Sequence, residues 1–366
     1  MAYKIENRGF SFGKLLSYVV LISWTLITIL PLFWMSYSSL KSNEELTRNI
    51  YAFPKDLFDN KDDLYKIVGD NLSLMVPKRL KSTLDEYTIL ESTTIAPGRM
   101  LKVHYVRTDE LPPEVAARSI GDTVVLRELA PNQRRQVSRQ TMWFNYISAF
   151  FRGGLIGKFV NSVIYSGVST FLMVFASLMI GFAVAKYPFA RLSALVIGLI
   201  GLGYLISTNS VIIPLFLMLT KIGLTDTHLG LILVYTAFGI PMSTLLASQF
   251  IRGLPDSLIE SAEMDGASMF RTFLSIIVPM AVPVIITISI INALGIWNEF
   301  VMVLVLASSE FTKSLPVGVY SFSSLTSTQL GMQLAALVIA TAPTVIVYFS
   351  FNKRITQGVV AGAVKG

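Results

Sequence analysis

Long apolar runs alternate with short polar segments along most of this chain. A bilayer core takes about 20 mostly apolar residues per helix. Six runs meet that length: residues 15–40, 159–185, 193–220, 229–250, 273–307 and 334–351. The predicted architecture is an all-α polytopic membrane protein with six spans. The fifth run is too long for one straight helix, and Pro279 and Pro283 near its start predict a kink or a stretch at the interface. The first run is longer than a signal-peptide core and is not followed by a small-residue cleavage site, so it reads as a retained span.

Residues 43–157 break the pattern. Between Lys41 and Met142 there are 16 basic and 15 acidic residues, a near balance that predicts a small folded insert rather than a charged tail. Alternating runs at 84–90, 100–107 and 123–129 predict strands, with Ala96-Pro97-Gly98 as a turn, so the insert is expected to be mixed α/β or β-rich. The insert is either an accessory spacer or a docking surface. Arg134, Arg135 and Arg139 precede Trp143 and Tyr146, a basic-aromatic cluster of the kind that anchors at membrane interfaces. The expected divisions are 1–42 (N-terminus and first span), 43–157 (insert), 158–352 (five spans, with a polar segment at 252–272) and 353–366 (tail).

Composition agrees with a membrane protein: 53% hydrophobic and 14% charged, against about 25% charged in soluble domains. The net charge of +7 fits headgroup contact and orientation rather than nucleic-acid binding. There are no cysteines and two well-separated histidines, His104 and His228, so neither a thiolate nor a histidine metal centre is expected. Lys4, Arg8, Lys14, Lys186, Arg191, Arg252, Arg271, Lys353, Arg354 and Lys365 fall on one side of the six runs, while the opposite short loops carry only Lys221 and Lys313. The positive-inside rule then puts both termini and the 252–272 segment in the cytoplasm and the insert outside.

Energy sources are scarce. The nearest approach to a phosphate-binding loop, Gly153 to Phe159, has the wrong spacing and lacks the Ser/Thr. No catalytic constellation stands out, so the chain is expected to carry no ATPase or other enzyme site and to bind no cofactor itself. Within the runs the polar candidates for a solute path are Asn161, Tyr204, Asn209, Asn292, Trp297, Asn298 and Glu299. Each could also be an interhelical partner, and Glu299, the one interior acid, is open to both readings.

The 252–272 segment holds Asp256, Glu260, Glu263 and Asp265 between two apolar runs, with Pro255 placed to start a short helix and Gly266 to end it. Glu260-Ser261-Ala262, then Asp265-Gly266-Ala267, Phe273, Ile276, Pro279 and Pro283, resemble the EAA signature of ABC importer permeases; Ser261 stands where that pattern has Ala. Asn161-Ser162, Ala185-Lys186-Tyr187-Pro188-Phe189, Trp297-Asn298-Glu299-Phe300, Leu315-Pro316-Val317-Gly318 and the tail from Gly358 to Gly366 resemble the carbohydrate branch, MalG-like permeases. The resemblance covers 1–50 and about 143–366 but not the middle of the insert.

The resemblance implies the type I importer fold in a bacterial inner membrane. It implies a second, MalF-like permease subunit, two cytoplasmic ATPases carrying ATP and Mg²⁺, and an extracytoplasmic sugar-binding protein. It casts Glu260, Ser261, Ala262, Asp265, Gly266 and Ala267 as a coupling helix seated on an ATPase, with Leu258, Ile259 and Ala262 as its apolar docking face and the tail as a second contact. Two alternatives stay open: a permease of the same architecture for another solute, and an ion-coupled secondary carrier.

Overall fold

A computed structural model describes residues 12–41, 43–54, 64–68, 87–92, 103–152, 154–187, 190–322 and 330–363. Two units emerge, 1–153 with 322–338, and 154–321 with 339–366.

In the first unit α1 (Phe12–Ser38) is apolar all round, with Leu16, Ile22, Trp24 and Phe33 exposed, as suits a helix surrounded by lipid. After α2 (Asn43–Arg48) come β1 (Leu64–Val68), β2 (Tyr87–Ser92) and β3 (Val103–Arg107), then α3 (Pro113–Ala116) and β4 (Thr123–Val125). They form one antiparallel sheet in the order β3-β2-β1-β4. Alternation sets the inner face: Tyr65 and Ile67 of β1, Leu90, Val106 and Val124 are buried, and Val137 of α4 (Pro131–Arg152) joins them. Three strands coincide with those read from the sequence. β1 was not foreseen, and the Ala96–Gly98 turn lies outside the described residues.

The second unit is helical. It comprises α5 (Leu155–Lys186), α6 (Ala190–Leu205), α7 (Thr208–Lys221), α8 (His228–Arg252), α9 (Ser257–Met264), α10 (Met269–Thr272), α11 (Val278–Met280), α12 (Val282–Asn298), α13 (Val301–Leu306) and α14 (Leu315–Tyr320); α15 (Leu330–Ala363) runs across the division of the chain. Among the described residues four helices are long and apolar enough to cross a membrane, or up to six if each of two bent pairs counts as one span.

One pair breaks the third run, read from the sequence as a single span: α6 and α7 meet at 97°. Gly198, Gly201 and Gly203 weaken the end of α6, and the polar run from Ser207 to Ser210, with Ser207 extended, starts a new helix. The other pair is the predicted break in the fifth run. A π-helical turn at Phe273–Ile277 leads into α11, and α12 departs at 77° beyond Ala281, with Pro283 in its first turn.

α5 and α8 are the packed centre. Ser162, Ser166, Ser169, Thr170, Ser177 and Gly181 make a buried stripe of small residues along α5. Ser169 and Ser177 donate to the Ile232 and Ile240 carbonyls of α8. A Cβ built at Gly181 would lie 3.0 Å from the Ser248 backbone nitrogen and 3.1 Å from the Ala247 Cβ. Small side chains let backbones approach where hydrocarbon offers no hydrophobic drive between helices.

Candidate functional site

The polar segment folds as a short capped helix. The α9 start is set by the Asp256 carbonyl, which accepts from the Ile259 and Glu260 N–H groups at 2.9 and 3.1 Å. Its end is a Schellman cap. Gly266 N–H donates to Glu263 O at 3.0 Å and Ala267 N–H to Ala262 O at 2.9 Å, across Gly266 at φ 72°. The Asp-Gly-Ala order thus has a backbone reason: the residue after Asp265 must turn left-handed, which glycine does without the usual penalty. The Ser268 side chain then accepts from Arg271 N–H and caps α10.

Glu260, Ser261, Glu263 and Asp265 are exposed on this helix and its cap. Its apolar face differs from expectation. Ala262 is buried, Leu258 and Ile259 are half-buried, and Ile259 packs on the chain's own cluster of Phe182, Ala247, Ile251 and Phe273. The exposed apolar groups nearby are Met264, Met269 and Phe270. Amphipathic spacing shows that a helix has an apolar side; it does not say whether self or another chain covers it.

The C-terminal end of α5 grips this segment. The Lys186 ammonium donates to the Leu254 carbonyl and to Asp256 Oδ1, each at 2.5 Å. Phe182 stacks on Phe273 with ring centres 5.9 Å apart and meets Tyr187 edge-on at 5.5 Å. Burial, and secondarily the Glu263 charge, hold the Tyr187 phenol above its usual range.

The candidate path residues do not converge. Asn161 is buried and donates to the Phe311 and Lys313 carbonyls at 2.6 and 3.0 Å. Asn292 donates to Ser243 Oγ at 3.1 Å and to Ile288 O, tying α12 to α8. Trp297 donates to Ala340 O at 3.1 Å and meets Phe159 edge-on. Asn298 is exposed and bonds back to Leu294 O. Glu299 accepts from Tyr235 Oη at 2.9 Å, and both its oxygens receive Met302 N–H, so it caps α13 while reaching α8. Tyr204 and Asn209 are exposed on either side of the α6–α7 bend.

A second polar network was missed. Asp226, at φ 58°, accepts at one oxygen from the Ser308 and Ser309 N–H groups and the Ser309 hydroxyl, and from the Thr312 hydroxyl. Burial alone would raise its pKa, but these donors together bring it below the usual value. Tyr165 links Thr312 O to His228 Nδ1, and Ser162 Oγ accepts from Leu315 N–H. Glu310 pairs with Lys158 at 2.8 Å and Lys313 at 2.6 Å, which hold its carboxyl down to about 2. An Asp flanked by Thr in a short loop was the available signal. Its partners sit some 80 residues away and leave no local pattern. Among the described residues no three His, Asp or Glu side chains are grouped to hold a metal ion.

With this geometry in place, comparison with known proteins gives the class. Residues 143–360 match the family described as binding-protein-dependent transport system inner membrane component, and the chain belongs to that family. Relatives include a putative ABC transporter permease protein ORF2 of Caldicellulosiruptor sp. (strain Rt8B.4), 36% identical over 65% of this chain and 86% of that protein. The trehalose transport system permease protein SugB of Mycobacterium tuberculosis (strain CDC 1551 / Oshkosh) is 33% identical over 62% and 83%. The melibiose/raffinose/stachyose import permease protein MelC of Bacillus subtilis (strain 168) is 32% identical over 61% and 80%. A crystal structure of a bacterial ABC transporter involved in the import of the acidic polysaccharide alginate shares the fold, with TM-score 0.61 over 94% of this chain and 98% of that one at 16% identity. The insert between the first span and residue 143 lies outside the family match.

Proposed function

We propose that this chain is one permease subunit of an ATP-driven importer for a sugar or oligosaccharide. The observation that carries the reading is α9, an exposed acidic helix closed by the Gly266 cap and set between two membrane-length runs inside the family match. The sugar follows from relatives whose names specify trehalose and melibiose, raffinose or stachyose.

In this reading the chain lies in a bacterial inner membrane with both termini and α9 in the cytoplasm, as the Lys/Arg asymmetry directs. A second, MalF-like subunit completes the path, and a solute-binding protein docks at the outer face. Two ATPase subunits bind beneath and hold ATP and Mg²⁺; this chain has no hydrolytic site of its own. Each ATPase receives a coupling helix. Glu260, Glu263 and Asp265 offer charge to it, while Met264, Met269 and Phe270 supply apolar contact. A surface ion pair contributes about 0–1 kcal/mol, so the apolar groups supply most of the hold. Ser261, Ala262, Gly266 and Ala267 shape the helix rather than touch the ATPase first. The C-terminal tail is a second contact; its side chains lie outside the described residues.

The test is purification in mild detergent from the native host. ATPase subunits should co-elute with this chain, and proteoliposomes of the complex should take up a labelled oligosaccharide only with ATP and the binding protein. Uptake by the chain without any ATPase subunit would reject the reading in favour of a secondary carrier. ATP-driven uptake restricted to peptides or osmolytes would reject the sugar.

A further inference from the structure

Lys186 ends a membrane-length helix, where a basic side chain ordinarily extends to water and headgroups. Here it does the opposite. Its side chain is 4% exposed, and its ammonium is spent on the Leu254 carbonyl and on Asp256, which is itself 77% exposed at the N-terminal end of α9. Withdrawing an ammonium from water is unfavourable unless bonds replace its hydration, so the arrangement persists because both acceptors are in place. A topology signal alone needs no such acceptors.

We infer that Lys186 is a positioning residue that fixes the start of α9 to α5, so that displacement of α9 is delivered to the packed core instead of being absorbed in the Gly253–Asp256 turn. The inference rests on the proposed importer function. Three features support it. The turn that precedes α9 is exposed at Gly253, Pro255 and Asp256, while Leu254 packs on the cluster that holds Phe182 and Ile251. The far side of α9 returns to the same helix through Phe273, stacked on Phe182 one turn before Lys186. And α5 is seated against α8 at Gly181, where backbone nearly touches backbone, so motion given to α5 moves α8 too. α9 is therefore held to α5 at its start by a charged bond and beyond its end by an aromatic stack.

The experiment uses the complete importer with its binding protein in proteoliposomes and reads solute moved per ATP hydrolysed. Lys186→Met should lower that ratio by about tenfold or more, tenfold being near the lower end of the effect on an equilibrium of one hydrogen bond to a charged group. ATPase subunits should remain bound at wild-type stoichiometry, and Lys186→Arg, which can reach both acceptors, should restore most of the ratio. Asp256→Ala, at an exposed position, should lower the ratio in the same direction and serves if Lys186→Met does not assemble. An unchanged ratio in both variants overturns the inference, as does a fall that only tracks loss of ATPase subunits or of thermal stability. If the wild-type chain itself binds no ATPase subunits, the importer reading fails first, and that control distinguishes the two.

Discussion

Ala267 reaches back across Gly266 to bond the Ala262 carbonyl at 2.9 Å, the wider-spanning of the two bonds that close α9. It requires the left-handed backbone at Gly266 (φ 72°), yet a Cβ there would meet nothing within 4 Å. Replacement therefore strains the backbone without a clash, by about 1–2 kcal/mol. Gly266→Asn, which tolerates that conformation, should keep more ATP-driven uptake than Gly266→Val, with expression unchanged. Equal uptake by the two variants would show that the cap is dispensable.

Close packing of α5 on α8 makes a second expectation. Gly181→Leu must push the Ser248 backbone and Ala247 away, which costs about 1–3 kcal/mol. Gly167, on the same helix, has open space around its Cβ position, and Gly167→Ala should be neutral or slightly stabilising through helix propensity. Thermal unfolding of the detergent-purified chain checks both. A Gly181→Leu midpoint equal to wild type would contradict the packing.

Removing the Asp226 carboxylate should loosen two loops at once. Asp226→Ala leaves the Ser308 and Ser309 N–H groups without their acceptor, at a cost of about 1–3 kcal/mol. Hydrogen exchange should accelerate at 307–314 and not at α9; faster exchange confined to α9 would refute the assignment.

The Glu310 pair predicts an acid dependence. Lys158, then Lys313, lower its pKa from 4.5 to about 2. A depressed carboxylate stabilises the folded state above its unfolded pKa, and that contribution is lost as pH falls from about 4.5 toward 2. The stability gap between wild type and Glu310→Gln should thus be constant above pH 5 and shrink below about 4.5. The carboxylate is largely exposed, so the gap is small and should narrow further with salt. A gap that widens on acidification would reverse the sign.

Helix-forming runs were legible because lipid demands length and apolarity, and both are local properties. The fifth-run break was legible because proline marks it. The α6–α7 bend was not, since glycines and a serine-threonine run also occur in straight membrane helices. β1, at Leu64–Val68, was hidden by its charged surroundings, with Lys61, Asp62 and Asp63 before it, Lys66 within it and Asp70 after it. For the polar residues the limit is different. Sequence names Asn161, Asn292 and Glu299 as polar groups within the spans but cannot pair them; the fold spends them on Phe311 and Lys313 carbonyls, on Ser243, and on Tyr235 with Met302. The acids of α9 lie in a segment too polar for the membrane and are exposed, whereas the destination of Ile259 and Ala262 depended on where α5 and Phe273 came to rest.

α5 has 32 residues, about 48 Å at helical rise. Lys158, Asn161, Ser162 and Tyr165 clasp the 307–315 stretch near its first turns, and Lys186 clasps α9 at its last. One unbroken helix thus ties the 307–315 stretch and α9 to a common element, so that a tilt of α5 would carry both with it.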